Sequence, residues 1–96
     1  MAKATKGQIE EIHNNANRHR ESANSFRQDN ASVQNAVDGL TAINKGDLMD
    51  KLDALQNEWS ENVRKVITDL EDMASYLDVV GNKIQQQDAD SGGGLN

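Results

Sequence analysis

Two long runs of apolar positions divide the chain, and both have the spacing of helices that pack against other helices. In the second run, apolar residues recur at alternating steps of four and three, with one skipped position at Asn62. The members of this seam are Leu48, Leu52, Leu55, Trp59, Val66, Leu70, Met73, Leu77, Val80 and Ile84. A heptad pattern sustained over about five heptads predicts one long helix over residues 48–87.

A second set of apolar residues lies beside this seam on the same predicted helix. The members of this flank are Met49, Val63, Ile67 and Ala74. If the seam faces the other helix of the chain, the flank has no partner within the chain. We therefore expect the flank to pack against a second chain.

The first run begins at a capping box, because Thr5 is followed three residues later by Gln8. The residues that then alternate by three and four are Ile9, Ile12, Ala16, His19, Ala23, Phe26, Asn30, Val33, Val37 and Leu40. This spacing predicts a helix over about residues 6–40. The alanines allow a neighbouring helix to come close and leave room for a partner's larger side chains, while buried polar positions such as Asn30 can fix register.

Residues 41–47 form the predicted elbow between the helices. Asn44 and Gly46 are turn-forming residues, and Asp47 has the side chain of a helix N-cap. So short a connection predicts antiparallel neighbours, hence a single all-α domain built as a helical hairpin. Residues 88–96 lose the periodicity and are glycine-rich near their end, so we expect a flexible tail there.

The composition indicates that the hairpin needs a partner. Only 35% of the 96 residues are hydrophobic, 3% are aromatic and none is cysteine. A core this thin usually requires disulfides, a metal or oligomerisation, and cysteine is absent. We therefore expect two hairpins to associate into a four-helix bundle.

Charge and motifs exclude several classes of function. The net charge of −6 disfavours binding to nucleic acid or anionic membranes. No apolar run approaches a membrane span, and no Sec-type signal peptide follows Met1. His13 and His19 lack the spacing of a metal pair, and the carboxylate pairs Glu10/Glu11 and Asp69/Glu71/Asp72 occupy outward positions. We predict no enzyme activity and no cofactor.

The C-terminal third carries a resemblance to a known family. Gly81, Ile84, Asp88 and Leu95 stand where the WXG-type Esx family of type VII secretion places a glycine and its export signal, and Trp59 follows the elbow glycine at the usual distance. The chain resembles this family over nearly its whole length.

Two positions depart from the family's motifs. The elbow reads Asn44-Lys45-Gly46, with Ile43 as the nearest apolar residue, where the family has Trp-x-Gly. The export signal reads Ile84-x-x-x-Asp88, where the family usually has Tyr-x-x-x-Asp/Glu.

The resemblance implies a small protein that is made in the cytoplasm and secreted without a Sec signal. It implies a dimer with a homologous Esx-type partner, in which this chain supplies the C-terminal signal; a heterodimer is favoured and a homodimer is the alternative. Leu95 would dock in the secretion ATPase, and Asp88 would set the register. The residues expected at the hairpin and dimer interfaces are Phe26, Val33, Val37, Leu40, Leu52, Leu55, Trp59, Val63, Val66, Ile67, Leu70, Met73 and Leu77.

A different class of function stays open, namely an intracellular helical-hairpin adaptor whose tail only increases solubility. A membrane-active effector would need a basic face opposite an apolar one, and the acidic balance disfavours it. Removal of residues 84–96 separates export from the adaptor function.

Overall fold

Two helices account for nearly all of the chain that the computed structural model describes, which is residues 4–90 with side chains through residue 87. Helix α1 spans Lys6–Ile43 and helix α2 spans Asp47–Asp90. Residues far apart in sequence meet in antiparallel order, as His13 meets Asp78 and Asn30 meets Ser60. The predicted all-α helical hairpin is therefore confirmed, while assembly of two hairpins into a bundle stays a prediction.

The start of α1 confirms the predicted capping box. The amide of Gln8 donates to Oγ1 of Thr5 at 3.1 Å, and the amide of Thr5 donates to Oε1 of Gln8 at 2.8 Å. Each side chain thus satisfies a backbone N–H that the helix itself leaves without a partner.

The elbow is shorter than predicted, because α1 continues through Ile43. Asn44 donates from its backbone and its side chain to the carbonyl of Leu40, and Lys45 Nζ donates to the carbonyl of Thr41. These bonds satisfy carbonyls of the last helical turn, so the helix extends three residues beyond residue 40.

Gly46 begins α2. Its φ of +118° is one that side-chain-bearing residues rarely adopt, and its carbonyl accepts the amides of Met49 and Asp50. The prediction that Asp47 is the N-cap is therefore wrong: Gly46 takes that position and Asp47 is the first helical residue. In the first turn, the negative charge of Asp47 still interacts favourably with the positive end of the helix dipole.

Helix α2 ends at Asp90, three residues beyond the predicted end at residue 87. Glutamine, aspartate and alanine follow Ile84, and none of them breaks a helix, whereas the first glycine comes only at residue 92. The remainder of the predicted tail, including Leu95, lies outside the described residues.

Two compact units make up the chain. The terminal unit combines Met1–Glu21 with Leu70–Asn96, and the elbow unit is Ser22–Asp69. In the terminal unit, Ile9, Ala16, Ala74 and Gly81 are buried. Three of these four residues have little or no side chain, so the two helix backbones approach closely there.

The elbow unit has an apolar core interrupted by polar residues. Its buried apolar residues are Ala23, Val37, Val63 and Ile67. Gln56 and Ser60 are buried as well, at 6% and 4% exposure. They face half-buried Asn30 and Gln34 of α1, so a polar layer crosses this unit.

Hydrogen bonds connect the members of this layer. Ser60 Oγ lies 3.0 Å from Oδ1 of Asn30 and 3.3 Å from Oε1 of Gln34, and these two oxygens compete for its proton. Gln56 Nε2 donates to Ser60 Oγ and to Asn30 Oδ1. A buried polar group is stable only when it is hydrogen-bonded, so this arrangement favours one register of α1 against α2.

The two apolar stripes of α2 do not take the roles predicted for them. Val63, Ile67 and Ala74 of the flank are buried inside the hairpin, whereas the seam includes Trp59 and Met73 at 55% and 48% exposure. The prediction that the flank waits for a second chain is therefore wrong. Alanines at inward positions of α1 allow the helices to come close, and Trp59, the largest side chain of the seam, lies outside this contact.

Candidate functional site

The predicted export segment lies at the end of α2, in the terminal unit. Gly81 is buried against α1, and Ile84 is half-buried one turn later. The backbone of Asp88 belongs to α2, and Leu95 lies beyond the described residues. The described part of the predicted signal is therefore helical and docked on the first turns of α1.

His13 of α1 covers Gly81. A Cβ atom added to Gly81 would lie 2.8 Å from Nε2, 3.0 Å from Cε1 and 3.3 Å from Cδ2 of the His13 ring. Real Cβ atoms do not approach other atoms so closely, so the imidazole occupies the space that a side chain at residue 81 would need. A side chain at residue 81 would therefore displace the His13 ring from this position.

The same histidine is held by a carboxylate of α2. Nδ1 of His13 lies 2.6 Å from Oδ1 of Asp78, and because a carboxylate only accepts, Nδ1 carries the proton. Arg20, two turns along α1, donates to the other carboxylate oxygen of Asp78. One acidic side chain of α2 thus joins two basic side chains of α1.

These partners also change the titration of Asp78. The hydrogen bonds from Arg20 and then His13 lower the pKa of Asp78 from its ordinary value of 3.8, against a smaller opposing effect of desolvation. Asp78 is therefore ionised throughout the neutral range, and the His13–Asp78–Arg20 cluster keeps its charge-assisted bonds there.

A shallow groove of about 340 Å³ adjoins this cluster. It is lined by Lys6, Ile9, Glu10 and His13 of α1 and by Gln85 of α2. Within residues 4–90, no group of three acidic, histidine or cysteine side chains could hold a metal ion.

The elbow residues belong to the elbow unit. Ile43 is 81% exposed, and Gly46 has the positive φ described above. The glycine of the elbow is thus required by backbone conformation. Asn44 stands where the family has a tryptophan. Its backbone and its side chain both donate hydrogen bonds to the Leu40 carbonyl.

A broad apolar surface is exposed on the elbow unit. We call it the apolar face; its members are Phe26, Val33 and Leu40 of α1 and Leu48, Leu55, Trp59 and Val66 of α2, each between 41% and 76% exposed. On α1 the exposed row follows the inward row by three residues, and Trp59 and Val66 likewise follow inward Gln56 and Val63. Because the helices are antiparallel, this equal offset turns both rows to the same side of the unit.

Some of the remaining predicted interface residues lie between the two helices, and the others lie on the surface. Val37, Val63 and Ile67 are buried, Leu52, Leu70 and Leu77 are half-buried, and Met73 is exposed. The grouping of hairpin and dimer interfaces stays a prediction for the exposed members.

Several other candidates are explained by the hairpin alone. His19 donates from Nδ1 to the carbonyl of Asn15 at 2.7 Å, within its own helix. The side chains of the carboxylate pairs at residues 10–11 and 69–72 are exposed, and Glu11 is paired with Arg18.

The cluster of His13, Asp78 and Arg20 was not anticipated from the sequence. The signal that could have found it is register: His13 and Arg20 each follow an inward residue of α1 by four positions, and Asp78 stands beside inward Leu77. Once the elbow fixes which turns face each other, these charges become neighbours.

The family assignment agrees with this architecture. Residues 3–89 match the model of WXG100, described as proteins of 100 residues with WXG. The chain belongs to the WXG100 family. No curated protein and no solved structure matches it. The resemblance inferred from the C-terminal third is confirmed, and it holds although the elbow tryptophan is absent.

WXG100 proteins are small helical proteins associated with type VII secretion, and they generally dimerise with related chains. As a family they are non-enzymatic secretion substrates. The match covers Gly81, Ile84 and Asp88 and ends before Leu95. In residues 4–90 of this WXG100 chain, neither helix has a stretch that is both long and apolar enough to cross a membrane.

Proposed function

We propose that this WXG100 protein is exported by a type VII secretion system as a dimer with a homologous chain and that it supplies the C-terminal export signal. The observation that carries the proposal is the apolar face together with the helical segment 81–90. The first gives the chain a reason to pair, and the second gives it a segment that a receptor can read.

The apolar face supports pairing through the elbow unit. It collects an aromatic pair, Phe26 and Trp59, with five aliphatic side chains on one side of two helices. Burial of such side chains contributes roughly 25 cal/mol per Å² of apolar surface, and aromatic residues commonly dominate interface energetics. A second hairpin placed on this face completes the four-helix arrangement.

The partner is proposed to be a homologous chain rather than a second copy. The sequence predicts room for a partner's side chains at Ala16 and Ala23. That space is filled within the hairpin, since both alanines are at most 1% exposed. Charge now carries the preference: each copy has a net charge of −6, and two copies would repel. A less acidic homologue avoids that cost.

The export segment would be read at the end of α2 by the secretion ATPase. Ile84 supplies apolar surface and Asp88 a carboxylate that can set register by a charge-assisted bond, with Leu95 as a further apolar anchor. Within residues 81–87, Gly81 is buried and Ile84 half-buried, whereas residues 82, 83 and 85–87 are exposed and accessible to a receptor.

Deletion of residues 84–96 tests the proposal. Export from a host with an active type VII system should be abolished, because the receptor loses its contact segment. The cytoplasmic level of the protein, its helicity and its mass in complex should remain close to those of the full chain, since the apolar face and the polar layer are untouched. Immunoblots of culture medium and cell pellets provide the measurement.

A matched control keeps the length of the tail. Replacement of residues 91–94 by four other residues leaves Ile84, Asp88 and Leu95 in place and should preserve export. If the deletion variant were exported as well as the full chain, the proposed signal would be wrong, and an intracellular adaptor would become the better interpretation.

A further inference from the structure

The contact between His13 and the end of α2 has a consequence for recognition at the export segment. His13 lies near the start of the chain, yet it covers Gly81 and bonds Asp78, the residues three and six positions before Ile84. We propose that His13 is a positioning residue, which holds the export segment helical and docked on α1 so that its exposed side is presented in one orientation. This inference rests on the proposed function.

The imidazole lies where a Cβ of residue 81 would be, so α1 and α2 are in direct contact at the first residue of the export segment. A close approach over one turn fixes the rotation of the helix about its axis. Ile84 follows by less than one turn and is consequently held half-buried.

Two directional hydrogen bonds to Asp78 also hold α2 in place. Asp78 accepts from His13 on one carboxylate oxygen and from Arg20 on the other, so it cannot follow a rotation of α2 without losing one of the two bonds. The capping box at Thr5 and Gln8 in turn secures the start of the helix that carries both basic residues. The recognition end of α2 is therefore tied to an anchored part of α1.

Docking of α2 on α1 should also favour binding to a receptor. A segment that is already ordered pays less conformational entropy when a receptor captures it. With α2 docked, residues 82, 83 and 85–87 form the exposed side of the segment. Loss of docking would leave the same sequence available but without a fixed orientation, so recognition should weaken although every signal residue is still present.

A pair of substitutions measures the contact directly, through amide hydrogen exchange of residues 81–87 in the purified full-length chain. His13→Ala removes the ring and the bond to Asp78, and protection there should fall roughly tenfold, the effect of one lost charge-assisted bond. Gly81→Ala should also reduce protection, because the new Cβ displaces the ring.

The double variant gives the sharper result. Without the ring, alanine at residue 81 only improves helix propensity, so adding Gly81→Ala to His13→Ala should raise protection by roughly fivefold. The sign of the Gly81→Ala effect thus depends on His13. Gly39→Ala is the matched control: nothing lies within 4 Å of a Cβ at Gly39, so alanine there should be stabilising with or without His13.

Export links this contact to recognition. The His13→Ala protein should be exported severalfold less than wild type while its helicity and complex formation are retained. Val37→Ala serves as the structural control, since it opens the core of the elbow unit and lowers global stability without touching residues 78–87. Its export should exceed that of His13→Ala at equal loss of global stability.

The outcomes separate this inference from the function on which it rests. Unchanged protection in His13→Ala, a Gly81→Ala effect that ignores His13, or normal or increased export of His13→Ala would each overturn the positioning role. Normal export after deletion of residues 84–96 would instead overturn the proposed function, and the exchange data would then still decide whether His13 docks α2.

Discussion

The half-buried carboxylate of Asp78 connects the two helices of the terminal unit. It accepts from two basic residues of the facing helix, and the same bonds lower its pKa. A lowered pKa means that the folded state favours the charged form more than the unfolded state does. The stability from Asp78 is therefore complete above its ordinary pKa of 3.8 and is lost as the pH falls through the lower value of the folded protein.

Asp78→Asn should accordingly reduce the acid sensitivity of the protein. The variant is expected to be less stable than wild type at neutral pH, and the difference should shrink as the pH falls below 3.8. Urea unfolding followed by circular dichroism over this range measures it. Asp72→Asn, an exposed aspartate of the same helix, is the control and should leave the pH dependence unchanged. A constant difference between Asp78→Asn and wild type at all pH values would contradict the assignment.

At the scale of the elements, the two helices are matched by small residues and by one polar layer rather than by large apolar side chains. Ala16, Ala74 and Gly81 are buried in the terminal unit, and Asn30, Gln34, Gln56 and Ser60 meet in the elbow unit. Such a layer contributes little net stability, but a shift of register would leave its donors and acceptors unpaired. The layer thus selects one alignment of α1 and α2.

The polar layer should respond non-additively to substitution. Ser60→Ala leaves Asn30 and Gln34 without a shared donor and should lower the free energy of unfolding by about 1–3 kcal/mol. The quadruple variant Asn30→Leu, Gln34→Leu, Gln56→Leu, Ser60→Ala replaces all four members of the layer with apolar side chains and should recover that loss or exceed it. Urea unfolding measures both. A quadruple variant whose destabilisation equals the sum of its single substitutions would argue against a connected layer.

At the scale of the whole molecule, the exposed apolar surface and the acidic charge indicate a protein that functions in a complex. Eight large apolar residues of the elbow unit are exposed although the helices pack on each other, and seven of them form the apolar face. Membership of WXG100 supplies the class of partner, since these proteins generally pair with related chains. The apolar face is where we expect that pairing.

Two valines of α2 test this expectation. Val66 belongs to the apolar face at 41% exposure, whereas Val79 is 47% exposed and stands two residues after inward Leu77, on the side of α2 away from α1. Val66→Ser should weaken dimerisation roughly tenfold, the effect of about 1–2 kcal/mol of lost apolar burial, and leave helicity intact. Val79→Ser should leave the dimer unchanged. Sedimentation velocity over a concentration series, with and without the partner, distinguishes the two; equal effects would show that pairing uses another surface.

Much of the fold follows from the sequence because periodicity is a local property. The heptad spacing predicts both helices, Thr5 and Gln8 predict a cap, and the short elbow leaves only an antiparallel arrangement. The C-terminal pattern of Gly81, Ile84 and Asp88 likewise sufficed to suggest the WXG100 family. These inferences use spacing along one chain and need no knowledge of which faces meet.

The tertiary structure decided which faces meet. Both stripes of α2 are apolar, so spacing alone could not choose between them, and the larger seam was the wrong choice for the hairpin contact. Buried Ala16, Ala23 and Ala74 allow the helices to come close, and Trp59, the largest side chain of the seam, lies outside the contact. The same approach brings His13 onto Gly81, 68 positions later in the chain. A contact of this kind depends on the relative rotation of two helices, a quantity set by packing across the hairpin and absent from the periodicity of either helix.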